Sequence, residues 1–289
     1  MTTITLPATP PFDFAASLSF LRRFPATAGE QQVAEHSLTK ALRAGGQTVL
    51  ARLTAADQGL RCELHADGPI SDQAVTAAAD RLSFYLGLTD DLEPFYAIGT
   101  QDPHFAPVID RLYGYHQVKF PSPVENLVWA ILCQRVPMGV ATKAKDALTA
   151  YVGNRLTLDG AEHFAFPDLD QLLALTTDRL TAISGNATKG ERLYRSLRGW
   201  AEVDEHFLRT APYDQVKDFL RGLPGIGPWS ASFIAIRGLG RMDEAPLDRE
   251  LTRSAAQVYG GPLSEDELRG LAERYGSWQG YWAHYMRAA

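Results

Sequence analysis

The stretch Leu223-Pro224-Gly225-Ile226-Gly227-Pro228-Trp229-Ser230-Ala231 decides how this 289-residue chain is read. Two glycines flank one aliphatic residue, which predicts a tight turn. Pro228 then falls where a first helical residue belongs, because its missing amide costs nothing there. An apolar run from Ser230 to Ile236 follows, and Gly238 supplies a natural stop. Ahead of the turn, Val216, Phe219, Leu220 and Leu223 recur at helical spacing. The reading is helix, hairpin, helix. Such a turn exposes backbone N–H groups at a helix N-terminus, an anion site suited to a DNA phosphate.

With Asp248 nineteen residues beyond Trp229, this motif resembles the helix-hairpin-helix DNA glycosylase superfamily, and within it the bacterial 3-methyladenine DNA glycosylase II type. Three further segments carry the resemblance. Pro11-Phe12-Asp13-Phe14, with Phe20 beyond, resembles that family's start. Glu125 to Gln134 resembles the helix leading to its DNA-wedge loop. Gly185-Asn186-Ala187-Thr188-Lys189-Gly190 resembles the small-residue turn before its hairpin. The likeness is densest from about residue 120 onward. It implies a mainly α fold with an N-terminal α+β domain, a small antiparallel sheet domain joined to two helical domains. The boundaries expected are 1–98 for the first and 99–289 for the helical region. Within the latter, about 121–238 would form the central domain with the hairpin, and 99–120 plus 239–289 the second.

Hydrophobic content of 45% and charged content of 21% are ordinary for a globular protein. No apolar run approaches the roughly eighteen residues of a membrane span. The N-terminus lacks an early basic cluster, and Cys62 and Cys133 are lone, distant thiols, so a reduced cytoplasm is the expected location, beside the nucleoid. The net charge of −6 argues against a nucleic-acid partner. Its distribution softens the objection: residues 1–110 hold seven basic against thirteen acidic side chains, whereas 111–289 hold 21 of each. Between Lys119 and Arg155, five basic residues (with Arg135, Lys143 and Lys145) face two acids, which predicts a few salt-sensitive phosphate contacts. A solvated helix face serves equally for Lys143 and Lys145.

From Gln47 to Leu53 and from Leu60 to His65, alternating residues predict half-buried strands around a turn at Ala56-Asp57-Gln58-Gly59. Ala74 to Leu86 reads as an amphipathic helix. After Asp90 the chain reads as entirely helical. One helix follows Pro121-Ser122-Pro123, another ends at Gly153, and a third runs from Phe166-Pro167 to Gly185.

Asp248 is the candidate catalytic residue. Hydrolysis of an N-glycosidic bond builds positive charge on the sugar, which a carboxylate can stabilise while it orients or deprotonates a water. A plain N-cap explains the same residue, since Pro246-Leu247-Asp248 precedes a periodic helix from Leu251. Asp243 and Glu244 read as surface acids nearby. Trp229 stands where the superfamily's lyase-competent members carry a nucleophilic lysine, and an indole cannot form a Schiff base. The resemblance therefore implies a monofunctional enzyme. Trp229, with Phe233 and Phe20, would line a base pocket, where cation–π attraction favours positively charged alkylated purines. Core packing is the competing reading of these rings. The family often places one more Trp where this chain has Arg287.

Gln134-Arg135-Val136-Pro137 falls where the family inserts a side chain into the base stack, so Gln134 and Arg135 are candidate DNA contacts, together with Gly225, Ile226, Gly227 and Trp229. An exposed loop arginine is the alternative for Arg135. The resemblance also allows a structural Na⁺ or K⁺ on the carbonyls of Arg221, Leu223 and Gly225; no other cofactor is called for. The implied partner is double-stranded DNA containing alkylated bases, bound by a monomer with no membrane contact. A hairpin protein that binds damaged DNA without catalysis is the competing function.

Overall fold

The computed structural model describes residues 1–27 and 30–289. Five strands form one antiparallel sheet in the order β1-β5-β4-β3-β2: β1 (Thr2–Pro7), β2 (Gln31–Val33), β3 (Ser37–Ala44), β4 (Gln47–Ala56) and β5 (Gly59–His65). The turn between β4 and β5 falls at Asp57-Gln58, as the alternation predicts, with Leu53 opposite Cys62 and Ala55 opposite Leu60. β1 completes the far edge by pairing with β5, Ile4 opposite Cys62. Helix α1 (Phe14–Leu21), capped by Asp13, and α2 (Asp72–Tyr85), capped by Ser71, lay their apolar faces on this sheet.

The remaining described chain is mostly helical, and it holds two further apolar cores. The central one gathers α5 (Pro123–Leu132), α6 (Met138–Val152), α7 (Leu169–Leu173), α8 (Thr177–Ser184), α9 (Ala187–Ala201), α10 (Glu205–Thr210), α11 (Tyr213–Gly222) and α12 (Pro228–Leu239). Helix α5 is buried along its whole length, so the other helices wrap around it. The second helical core packs α3 (Glu93–Gly99) and α4 (Ala106–Arg111) with α13 (Arg249–Val258), α14 (Glu265–Glu273) and α15 (Gln279–Ala288). Leu92, Phe95 and Tyr96, ahead of the expected boundary at 98, lie in this second helical core.

Three expectations are corrected. The region after Asp90 is not entirely helical, for β6 (Arg155–Leu158) and β7 (Ala161–Phe164) form a hairpin. Its two-residue turn, Asp159-Gly160, has positive φ at both positions, the geometry that Asp-Gly favours between alternating strands. The helix after Phe166-Pro167 is two helices, α7 and α8, with Gly185 capping the second in the left-handed conformation. Gly238 does not end α12, which runs to Leu239 with Gly240 as its left-handed cap. A Cβ at Gly238 would stand 2.8 Å from Asn126 Oδ1, so this glycine lets α12 approach α5 closely.

Of the five basic residues between 119 and 155, two are interior. Lys119 pairs with Asp90 at 2.6 Å, and Lys145 meets both Glu30 and Glu125 at 2.7 Å. Burial opposes the charge on Lys145, yet the two carboxylates hold it protonated. Neither can reach a phosphate. Arg155 pairs with Glu162, which leaves exposed Arg135 and Lys143 without a carboxylate partner among the described residues.

Candidate active site and hairpin

The turn between α11 and α12 has the geometry its glycines predict. Gly225 adopts φ +85°, and a Cβ there would stand 2.5 Å from Arg192 Cδ, so conformation and packing both require glycine. Ile226 is buried in the central core, so the hairpin presents its backbone rather than this side chain. Gly227 is the N-cap of α12, exposed and with open space where a side chain would be. No side chain caps the first amides of α12, which leaves them available to an anion.

Gln134 ties the neighbouring loop to this turn. Its Nε2 donates to the Gly225 carbonyl at 2.8 Å, while Arg192 donates to its Oε1 at 2.8 Å. Arg135, next in sequence, is exposed and held at φ +55°, a left-handed conformation costly for a side chain of this size. Of the three carbonyls considered for an alkali ion, Leu223 accepts the Ile226 amide at 3.0 Å and Gly225 accepts Gln134. Each keeps one lone pair, so the turn fits such an ion in part.

A cavity of about 530 Å³ opens beside the hairpin, with a volume suited to a nucleobase. Trp229, Phe233 and Arg237 recur at i, i+4 and i+8 on α12 and form one wall. Trp229 is 49% exposed and stacks on Phe233, ring centroids 5.3 Å apart and planes within 7°. The indole is therefore an exposed part of the cavity wall rather than core. Phe20 also lines the cavity, in contact with Phe24 at 4.9 Å between centroids. The three aromatic candidates of the sequence reading thus meet in one place.

Asp248 lines the same cavity, half-buried at the start of α13. The N-cap reading of this residue holds. Its Oδ1 accepts the Leu251 amide at 2.9 Å, the N-cap bond, while Oδ2 accepts from Arg287 Nη2 at 3.0 Å. Arg287, from α15, also donates to the Pro246 carbonyl at 3.0 Å, so one guanidinium fixes both the carboxylate and the loop that delivers it. Asp243 and Glu244 lie elsewhere. Asp243 pairs with Arg241 at 3.2 Å. Burial alone would raise the Glu244 carboxyl, but hydrogen bonds from Lys217 and Ser232 hold it below the usual range. Glu244 thus braces α11 against α12, and it is not a free surface acid.

Sequence reading missed Arg237 and His284. Burial brings the Arg237 guanidinium down to about 10, still charged at neutral pH; it packs 4.9 Å from the Phe20 ring and donates to the Val118 carbonyl. His284, 4% exposed on α15, is driven well below its ordinary value by burial, then by Arg237, Arg287 and Lys119, and is neutral. Helical spacing from Trp229 could have flagged Arg237. Nothing local flags His284, because its neighbours come from α1, α12 and the segment around Tyr115. Among the described residues, no cluster of His, Cys, Asp or Glu could hold a metal, and no helix is long and apolar enough to cross a membrane.

No family model matches the chain. A DNA-3-methyladenine glycosylase of Bacillus subtilis is 23% identical over 290 residues, covering 98% of this chain and 95% of its own. A Mycobacterium tuberculosis protein named probable bifunctional transcriptional activator/DNA repair enzyme AlkA is 27% identical over 286 residues, of which this chain spans 56%. Among solved structures, 3-methyladenine DNA-glycosylase from Archaeoglobus fulgidus superposes with a TM-score of 0.79 at 20% identity, over 100% of this chain and 97% of that one. An 8-oxoguanine glycosylase/lyase from Clostridium acetobutylicum reaches 0.68 at 17% identity, over 91% and 89%. Hairpin, sheet and helical cores together are similar to those of the helix-hairpin-helix DNA glycosylase superfamily. Within that class, its similarity runs to the bacterial DNA-3-methyladenine glycosylase II type.

Proposed function

We propose that the protein is a monofunctional DNA glycosylase that flips an alkylated base, of the 3-methyladenine type, out of duplex DNA and hydrolyses its N-glycosidic bond. The observation that carries this reading is Asp248, a half-buried carboxylate fixed from both sides in an aromatic-walled cavity of nucleobase size beside the hairpin. With phosphates on the turn, an extrahelical base enters between Trp229 and Phe20, and its sugar comes to rest near Asp248. Positive charge then develops on the sugar as the base leaves, and a preorganised carboxylate stabilises it by roughly 3–4 kcal/mol. The same group receives the proton of the attacking water. No lysine lines the cavity among the described residues, and Trp229 supplies no amine, so the reaction ends at hydrolysis. The side chain of Arg135 fills the vacated place in the base stack, and the protein acts as a monomer.

Asp248→Asn is the test. Asparagine keeps the N-cap, so α13 stays intact, and DNA binding persists. Single-turnover excision of a methylated purine falls by two or more orders of magnitude. Near wild-type excision would remove Asp248 from the mechanism.

A further inference from the structure

Helix α9 turns one polar stripe toward the hairpin and the loop beside it. Lys189, Arg192 and Ser196 recur at i, i+3 and i+7, so they stand on one face. Lys189 Nζ donates to the Leu132 carbonyl at 2.5 Å, at the last residue of α5, where the Arg135 loop begins. Ser196 Oγ donates to the Pro224 carbonyl at 3.0 Å, in the hairpin turn itself. Arg192 lies between them and serves both loops: it donates to Gln134 Oε1 at 2.8 Å, and Gln134 Nε2 donates onward to the Gly225 carbonyl at 2.8 Å. A guanidinium only donates and a carbonyl only accepts, so one orientation of the Gln134 amide satisfies both partners. The next residue, Arg135, is held at φ +55°, and Val136 beyond it packs on the central core. A large side chain keeps that conformation where the residues on each side over-determine the backbone. Gln134 and Val136 do so here, and Arg135 projects into solvent from a fixed frame.

We infer that Arg192 is a positioning residue that locks the Arg135 loop to the hairpin, so that the grip on the phosphates and the stacking of Arg135 act at a fixed spacing. The inference rests on the glycosylase reading above, in which Arg135 fills the place of the flipped base, and it adds a residue that acts through Gln134 rather than on DNA. A side chain inserted from a loose loop must be ordered as it enters the base stack. One held in advance avoids that cost. The flipped complex uses Arg135 in the stack and the unflipped complex does not. Loosening the loop therefore penalises the flipped complex, while the hairpin keeps its own tie to Ser196 and holds an intact duplex as before.

Arg192→Met tests this, because it keeps an unbranched stem against Gly225 and removes the donor. Titrations with abasic-site and intact duplex DNA are expected to show about two- to fivefold greater loss on the abasic-site DNA. In an Arg135→Ala background the same substitution adds no further selective loss, since the loop then has nothing to insert. Arg192→Lys, which restores a donor to Gln134, keeps the wild-type preference. Equal losses on the two DNAs, selective losses that multiply in the double variant, or a lysine variant no better than methionine overturns the assignment. Where thermal melting shows that Arg192→Met does not fold, Gln134→Met breaks the same link from its other end and is held to the same outcomes. Arg135→Ala with no selective loss of its own overturns the stacking role of Arg135, and this inference with it. Binding of neither DNA by the wild type overturns the glycosylase reading itself.

Discussion

The rim of the hairpin and the floor of the cavity lie along the same helix but are built in opposite ways. At the rim, Gly227 and Trp229 are exposed, the first amides of α12 have no side-chain cap, and Arg135 stands in solvent. On the floor, Asp248, Arg237 and Arg287 are each fixed by a hydrogen bond, and His284 is sealed in. Polar groups left open can meet a backbone whose chemistry repeats at every nucleotide. Polar groups fixed in advance can meet one base in one orientation, without reorganisation as charge develops. Helix α12 joins these two regimes across two of its turns.

This contrast breaks first at Gly225. Gly225→Ala forces a left-handed side chain into Arg192, with an expected cost of about 1–3 kcal/mol and weaker binding to every duplex, damaged or not. Thermal melting and titration with undamaged DNA check both parts. Unchanged binding to undamaged DNA would show that the turn does not hold the phosphates.

Acid should act on the floor next. His284 in the folded protein titrates far below 6.5, so the unfolded state binds the extra proton, and stability falls as pH drops below about 6.5. At pH 5.5 the loss from this group is about 1.4 kcal/mol. His284→Gln removes it, so the wild type and the variant should converge in melting temperature between pH 7.5 and 5.5. Parallel curves would mean that His284 takes up its proton as readily in the folded protein as in the unfolded chain. Glu244 works in the same direction at lower pH, because its folded carboxyl is held below 4.5 and its contribution disappears only under more acidic conditions.

The smallest effect belongs to Arg135. Arg135→Ala should weaken binding to abasic-site DNA by about two- to fivefold more than binding to intact duplex, since stacking in the vacated place exists only after flipping. Titrations across a salt series separate this from a phosphate contact, which would weaken both complexes alike and flatten the salt slope by about one unit. Equal losses would make Arg135 an ordinary backbone contact.

How far the sequence reveals these regions follows from how they are built. Apart from Arg135, the rim is one contiguous segment whose glycines, proline and apolar spacing are set by local conformation, so it can be read directly. The cavity's aromatic wall is legible for the same reason, since Trp229 and Phe233 are one helical turn apart. The floor depends on α15, whose Arg287 reaches Asp248 across 39 residues of sequence. The character of Lys119 and Lys145 was hidden too, because their partners Asp90, Glu30 and Glu125 are distant in sequence or on another helix. The hairpin at Asp159-Gly160 carries a legible turn dipeptide, but the helical patterns on both sides dominate the segment.

The central claim is that a carboxylate in this cavity hydrolyses the glycosidic bond and no amine takes part. Methylated duplex DNA incubated with the wild-type protein, then assayed for free bases by chromatography and for covalent adducts by borohydride trapping, tests it most directly. The account predicts methylated bases in solution, strands that stay whole until alkali is added, and no trapped complex. Absence of released base, or a stable protein–DNA adduct, would contradict it.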